Sequence, residues 1–188
     1  QMDEMVEKLR SKQTKAEQKQ DNYKLYLGIG CGVLGVKLNN NPKLIELTCR
    51  DNQLTSLNLS NYPNLETINC AYNQLTNLNF LNNLNEEKLT YLNVRDNNIT
   101  SDLTPFSKFV NLEGLYLNNN NFFGSLKPLG GLDKLNWLDI RDTDINSGLE
   151  YLPDNVEYFY CSADERKDAK CKDIYNLFAN DQGEVEIE

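Results

Sequence analysis

The sequence predicts an α/β solenoid in which short parallel strands pile up one per turn, with an irregular return path behind them and helical caps at the ends. Three observations predict it. An eleven-residue template, L-x-x-L-x-L-x-x-N-x-L, occurs at 44–54, 65–75, 89–99, 112–122 and 135–145, and Val156 opens a truncated sixth copy. The copies begin 21 to 24 residues apart. Inside each copy apolar and polar residues alternate, as with Leu92 and Val94 inward and Tyr91, Asn93 and Arg95 outward, which is the period of two of a half-buried strand. One such unit cannot bury its own apolar edge, so the units must stack on a shared core.

Taken in order, residues 1–22 hold Met2, Met5, Val6 and Leu9 among many Lys, Glu and Gln. They read as a lead-in helix or linker with one short apolar stripe, too brief for a coiled coil. Residues 23–43 read as a degenerate first repeat or an N-terminal cap, in two registers. One puts Tyr23, Tyr26, Gly28 and Cys31 on template slots; the other turns Leu25, Leu27 and Ile29 inward. Residues 44–163 carry five full repeats and the truncated one. Irregularly spaced apolar residues between the strands, with Pro63, Pro105, Pro128 and Pro153, predict turns and 3₁₀ pieces instead of full helices. Residues 164–188 read as a C-terminal capping helix, with Ala163, Arg166, Cys171, Ile174, Leu177 and Phe178 as its stripe, followed by an acidic tail. Such a cap covers a strand edge that would otherwise pair with other chains.

The asparagines of the template, Asn52, Asn73, Asn97 and Asn120, have a structural explanation. The chain turns sharply as it leaves each strand, and a stacked amide can bridge the backbone groups left over between turns. Thr143 and Asp164 stand at this position in the last two copies and lack amide donors, so the ladder should weaken there.

Composition sets the outer limits. The chain has 188 residues, 39% apolar content and a formal net charge of -9, as expected of one globular domain. No apolar run reaches the roughly 18 residues of a membrane span, so no membrane insertion is expected. The acidic balance argues against nucleic acid, whose phosphates call for clustered Lys and Arg. There is no His, which removes Ser-His-Asp and Cys-His catalysis and histidine-bearing zinc sites. No catalytic residue, metal site or cofactor is therefore predicted.

Five cysteines are an odd number for a disulfide framework, and Cys49, Cys70 and Cys161 fall on an inward slot, where Cys serves as a small hydrophobe. A bridge between Cys161 and Cys171 stays open as an alternative. The charged start, QMDEMVEKLR, does not read as a signal peptide, and the compartment stays open with the cytoplasm favoured.

With the inward slots fixed, the outward ones form three columns about 4.8 Å apart from strand to strand. They read Glu46, Thr67, Tyr91, Gly114, Trp137, Tyr158; then Thr48, Asn69, Asn93, Tyr116, Asp139, Tyr160; then Arg50, Ala71, Arg95, Asn118, Arg141, Ser162. Folding does not dictate their composition. The aromatic residues crowd into the later repeats, so the candidate ligand-binding residues are Tyr91, Arg95, Tyr116, Trp137, Asp139, Arg141, Tyr158 and Tyr160. Exposed Trp, Tyr and Arg are the types that dominate binding energy. Packing of the rings on one another is the alternative. Arg50-Asp51, Arg95-Asp96 and Arg141-Asp142 recur at one position and read as a solvated lattice of ion pairs.

Over roughly residues 44–161 the sequence resembles the leucine-rich repeat family. LTCRDNQL and INCAYNQL, together with the closing LEYLPDNVEYFYCS and its charged helix, are similar to repeat domains of large microbial and fungal multidomain proteins. The resemblance implies a right-handed superhelix, a parallel concave sheet, and protein or peptide recognition on that concave side without enzyme activity. The reading from another class is an assembly domain that forms homo-oligomers through residues 1–22 or a sheet edge, its concave face passive.

Overall fold

The computed structural model describes residues 24–26 and 41–174. The expected N-terminal helix over 1–22, most of segment 23–43 and the tail after 174 lie outside the described residues. Seven short strands form one parallel sheet in the order β1 (Lys24–Tyr26), β2 (Glu46–Thr48), β3 (Thr67–Asn69), β4 (Tyr91–Asn93), β6 (Gly114–Tyr116), β8 (Trp137–Asp139) and β10 (Tyr158–Tyr160). Every neighbour pairs in the register that the template fixes, so Thr67, Tyr91, Gly114 and Trp137 stand side by side. The inward leucines Leu47, Leu92, Leu115 and Leu138 and the inward Ile68 are fully buried. Burying each such side chain is worth about 1.5–3 kcal/mol, and each fills the gap left by its neighbour above and below.

For β1 the register settles one of the two alternatives: Leu25 aligns with Leu47 and packs on the core, while Tyr26 aligns with outward Thr48. The register with Tyr26 on an inward template slot is therefore incorrect for these residues. Tyr26 donates its hydroxyl to Glu46 at 2.6 Å, and Lys24 makes an ion pair with the same carboxylate at 2.6 Å. Polar partners hold the ring outside, where a core slot would have left its hydroxyl unpaired.

The return segments contain 3₁₀ turns at Asn79–Asn83, Thr104–Phe106, Lys127–Leu129 and Leu149–Tyr151, as the spacing predicts. A second parallel sheet was not expected from the sequence: β5 (Thr100–Ser101), β7 (Asn121–Ser125) and β9 (Asp144–Ser147) pair just beyond the template strands. Behind both sheets lies a single core, in which Phe106, Phe109 and Phe122 are the largest wholly enclosed rings. Cys49, Cys70 and Cys161 are buried on their inward slots, and desolvation pushes the Cys49 and Cys161 thiols up to about 12. They are free thiols, as is Cys171, so no Cys161–Cys171 bridge is present.

The asparagine ladder runs from turn to turn. Asn97 Oδ1 accepts the Leu75 N–H at 2.9 Å, and its Nδ2 donates to the carbonyls of Cys70, Val94 and Arg95 at 3.1, 3.0 and 3.2 Å. Asn73 and Asn120 repeat the pattern, each taking the N–H of Leu54 or Ile99 and each reaching the preceding turn. Thr143 donates only within its own turn, to the Ile140 carbonyl at 2.6 Å. Asp164 is exposed and accepts from the Ser162 hydroxyl, so it holds no ladder position.

What replaces the ladder at this end is the segment after β10. Asp142 Oδ1 accepts the Glu165 and Arg166 N–H groups at 2.9 and 2.8 Å. The Arg166 guanidinium donates to both Asp144 oxygens at 3.1 and 3.0 Å and to the Asp142 carbonyl. These bonds pin residues 164–166 as a turn, and the chain becomes helical only at 171–174. The helix predicted from residue 164 therefore begins later than the sequence suggests. Ala169, Cys171 and Ile174 are nonetheless buried against the core.

Candidate functional site

Six of the eight residues singled out from the sequence sit at outward positions of the seven-stranded sheet, and Arg95 and Arg141 follow two residues after the ends of β4 and β8. Five of them form one continuous aromatic ladder. Tyr91 lies 5.2 Å from Tyr116 between ring centroids, Tyr116 stacks on Trp137 at 5.7 Å, and Trp137 stacks on Tyr158 at 4.6 Å and meets Tyr160 at 5.3 Å. Pairs of this kind contribute about 0.5–1.5 kcal/mol each beyond their burial. Because the faces are turned toward one another, the ring edges are what the ladder offers outward. Tyr158, at 45% exposure, is the most open member. Tyr116 is enclosed enough that its hydroxyl is pushed well above the ordinary tyrosine value, by burial first and then by Tyr91 and Asp139.

Gly114 makes the ladder continuous. It occupies the outward slot between Tyr91 and Trp137, and a Cβ there would come within 3.0 Å of the Tyr91 ring. With no side chain at this position Tyr91 can lean across to Tyr116.

The charged candidates behave differently. Asp139 is buried at 2% exposure, and Arg141 grips it through Nε at 3.0 Å and Nη2 at 2.6 Å. Asp139 Oδ1 also accepts the Arg141 N–H, the same two-residue turn that Asn69 makes with Ala71 and Asn93 with Arg95. The second column's Asn and Asp are therefore backbone caps, broken only where Tyr116 intervenes. Arg141 is directed to Asp139 and over the Tyr160 ring at 5.3 Å, not to Asp142 as the lattice reading expected. Arg95 turns away from the ladder, donating to the Tyr72 hydroxyl at 2.7 Å with its guanidinium 4.7 Å above that ring.

Asp142 is instead at a positive φ of 56°, as are Asp51 (58°), Tyr72 (54°), Asp96 (53°) and Asn119 (54°). Asp and Asn tolerate this left-handed backbone better than most residues, which explains why they recur immediately before the ladder asparagine. The signal was present in the sequence as that recurrence.

Three side-chain polar atoms among the described residues are shielded from solvent without a hydrogen-bond partner: Arg95 Nε, Asn118 Oδ1 and Trp137 Nε1. The ion pair of Arg95 Nε with Asp96 is long, at 3.6 Å. All three belong to the outward columns of the later repeats. A shielded, unmet donor or acceptor costs about 1–3 kcal/mol.

Beside the ladder, at the entry end of the strands, opens a cleft of about 670 Å³. Tyr91, Gly114, Tyr116 and Trp137 form its wall, and Glu113, Asp133, Asp154 and Glu157 with the single cation Lys134 form its rim. The rim residues escaped the sequence reading because they stand just before the strands or in the loops leading to them, outside the alternating template. Among the described residues there is no His/Cys/Asp/Glu group able to hold a metal ion, and no helix long and apolar enough to cross a membrane.

Residues 87–131 match the family model described as leucine rich repeats, in two copies. No curated protein sequence matches the chain. Among solved structures it is similar to an internalin (inlF) of Listeria monocytogenes, with 28% identity and a TM-score of 0.56, over 66% of this chain and 36% of that one. It is also similar to the functional domain of InlJ from the same organism, described as including a cysteine ladder, with 24% identity and a TM-score of 0.62, over 80% of this chain and 30% of that one. The chain thus spans about a third of the length of either structure. Internalin C2 of L. monocytogenes shares the fold at 22% identity and a TM-score of 0.55, covering 74% of this chain and 79% of that one. The repeat pitch, the seven-stranded parallel sheet, the asparagine ladder and these likenesses make the fold that of a leucine-rich repeat solenoid, with residues 87–131 carrying the family's own sequence signature.

Proposed function

We propose that this chain is a non-enzymatic recognition module that binds a protein or peptide on the concave strand face, anchored on the ladder Tyr91, Tyr116, Trp137, Tyr158 and Tyr160. Proteins with the leucine-rich repeat fold are typically protein-interaction modules. The observation that carries the reading is the run of stacked rings itself. It fills the first two outward columns of the later repeats without a break, and one of its members, Trp137, keeps a shielded indole N–H without a partner. The Asn and Asp of these columns cap the backbone, but the repeat template asks for none of the rings. Stiff aromatic side chains lose little freedom on binding, which suits them to anchor a partner. Arg141 and Asp139 flank the ladder as a locked pair, and Arg95 is held away from it by Tyr72.

A pull-down separates this reading from a passive face. Intact protein and the Tyr116→Ala/Trp137→Ala variant, both shown to be folded by circular dichroism, are compared with a convex-side control, Val110→Ser/Phe123→Ser, at two exposed apolar residues. Partners recovered by the intact protein and by the control should be lost with the ladder variant. Equal recovery by all three proteins rejects the face.

A further inference from the structure

We propose that the cleft beside the ladder takes a cationic side chain, Lys or Arg, from an extended basic segment of the partner. This rests on the reading of the concave face as a recognition surface and names the chemistry of its ligand. Charge complementarity is the first argument. Four carboxylates, those of Glu113, Asp133, Asp154 and Glu157, surround the cleft against one Lys134, in a chain whose net charge is -9. None of the four takes part in an ion pair found among the described residues, whereas Glu46, Asp51, Asp96, Asp139 and Asp144 all do.

The wall is the second argument. Tyr91, Tyr116 and Trp137 line the same space, so the aliphatic stem of a Lys or Arg side chain reaching the carboxylates packs along aromatic surface while its charged head stays at the rim.

The third argument is size. At about 670 Å³ the cleft has the size of a site for one or two residues of a peptide.

Trp137 is the only tryptophan of the chain, so its fluorescence reports on the cleft directly. The test titrates the full chain with three blocked peptides of equal length, in which Arg alternates with Leu, Gln replaces Arg, or Glu replaces Arg. Two variants are compared with the parent. Glu113→Gln/Glu157→Gln removes two rim charges at exposed positions; Glu150→Gln/Asp168→Asn removes two exposed charges elsewhere.

The Arg peptide should shift the emission saturably, and the rim variant should weaken its binding about tenfold, as loss of two partly solvated ion pairs implies. The distant variant should match the parent, and rising salt should weaken binding. Equal affinity of the Arg peptide for parent and rim variant overturns the proposal. If the Gln peptide binds the parent as tightly as the Arg peptide does, and ladder substitutions abolish both, the recognition face stands and the cationic pocket falls. No response to any peptide, together with unchanged partner recovery by the ladder variant, removes both.

Discussion

Asn97 shows how one side chain supports two turns at once. Its amide satisfies the Leu75 N–H and bridges the carbonyls of Cys70 and Val94, which directly follow successive strands. Replacing it with Ala leaves these groups buried and unmet, so Asn97→Ala should lower the unfolding free energy by about 3 kcal/mol in a denaturant titration. The folded fraction should keep its partner affinity, since no ladder ring touches this amide. This role was legible in the sequence because the asparagine recurs at fixed spacing. The positive-φ residues were equally regular, and the ion-pair reading beside them holds for Arg50 with Asp51 at 2.6 Å and Arg95 with Asp96 at 3.6 Å but fails for Asp142. The structure gives Arg141 to Asp139 and spends Asp142 on the backbone of Glu165 and Arg166. Charge alone cannot show which of two neighbouring aspartates a guanidinium will reach, because the deciding variable is the backbone dihedral.

Among the elements, the register of the template strands was readable, because inward and outward positions alternate and any slip would put a leucine in water, whereas β1 was left between two registers. The second sheet, β5-β7-β9, was not. Its strands are two to five residues long, and Phe122 and Ile145 were already assigned as template ends. The end of the solenoid was half legible: the apolar residues that close the core were found, but Asp142 and Arg166 shape the turn that delays the helix. At the other end β1 depends on Glu46. Lys24 foremost, and Tyr26, hold its carboxyl below the ordinary value of 4.5. Because the folded-state pKa is depressed, the contribution is complete above the unfolded value and is lost as pH falls through the folded one. Amides of residues 24–26 should therefore exchange faster in Glu46→Gln than in the parent at pH 7. That difference should vanish as the solution is acidified below 4.5 and the parent carboxylate takes up its proton. A difference that persists unchanged would mean that Glu46 does not anchor the strand.

For the molecule as a whole, stacking like units meets the demands of the core through the inward slots and leaves the outward columns free to vary. The sequence located those columns and the aromatic bias within them, because both follow from the template's period. It could not show that Gly114 lets Tyr91 reach Tyr116, that Asp139 is enclosed, or that the loops before the strands bring four carboxylates to the same cleft. Those are properties of neighbouring turns and have no signature within one. The most direct measurement is the hydrogen-exchange footprint of the chain with a partner recovered by the pull-down. Protection should fall on 91–95, 114–118, 137–141 and 158–162, the strands that carry the ladder. Protection of the return segments 103–110, 126–132 and 149–153, with those strands unchanged, would contradict recognition through the concave face.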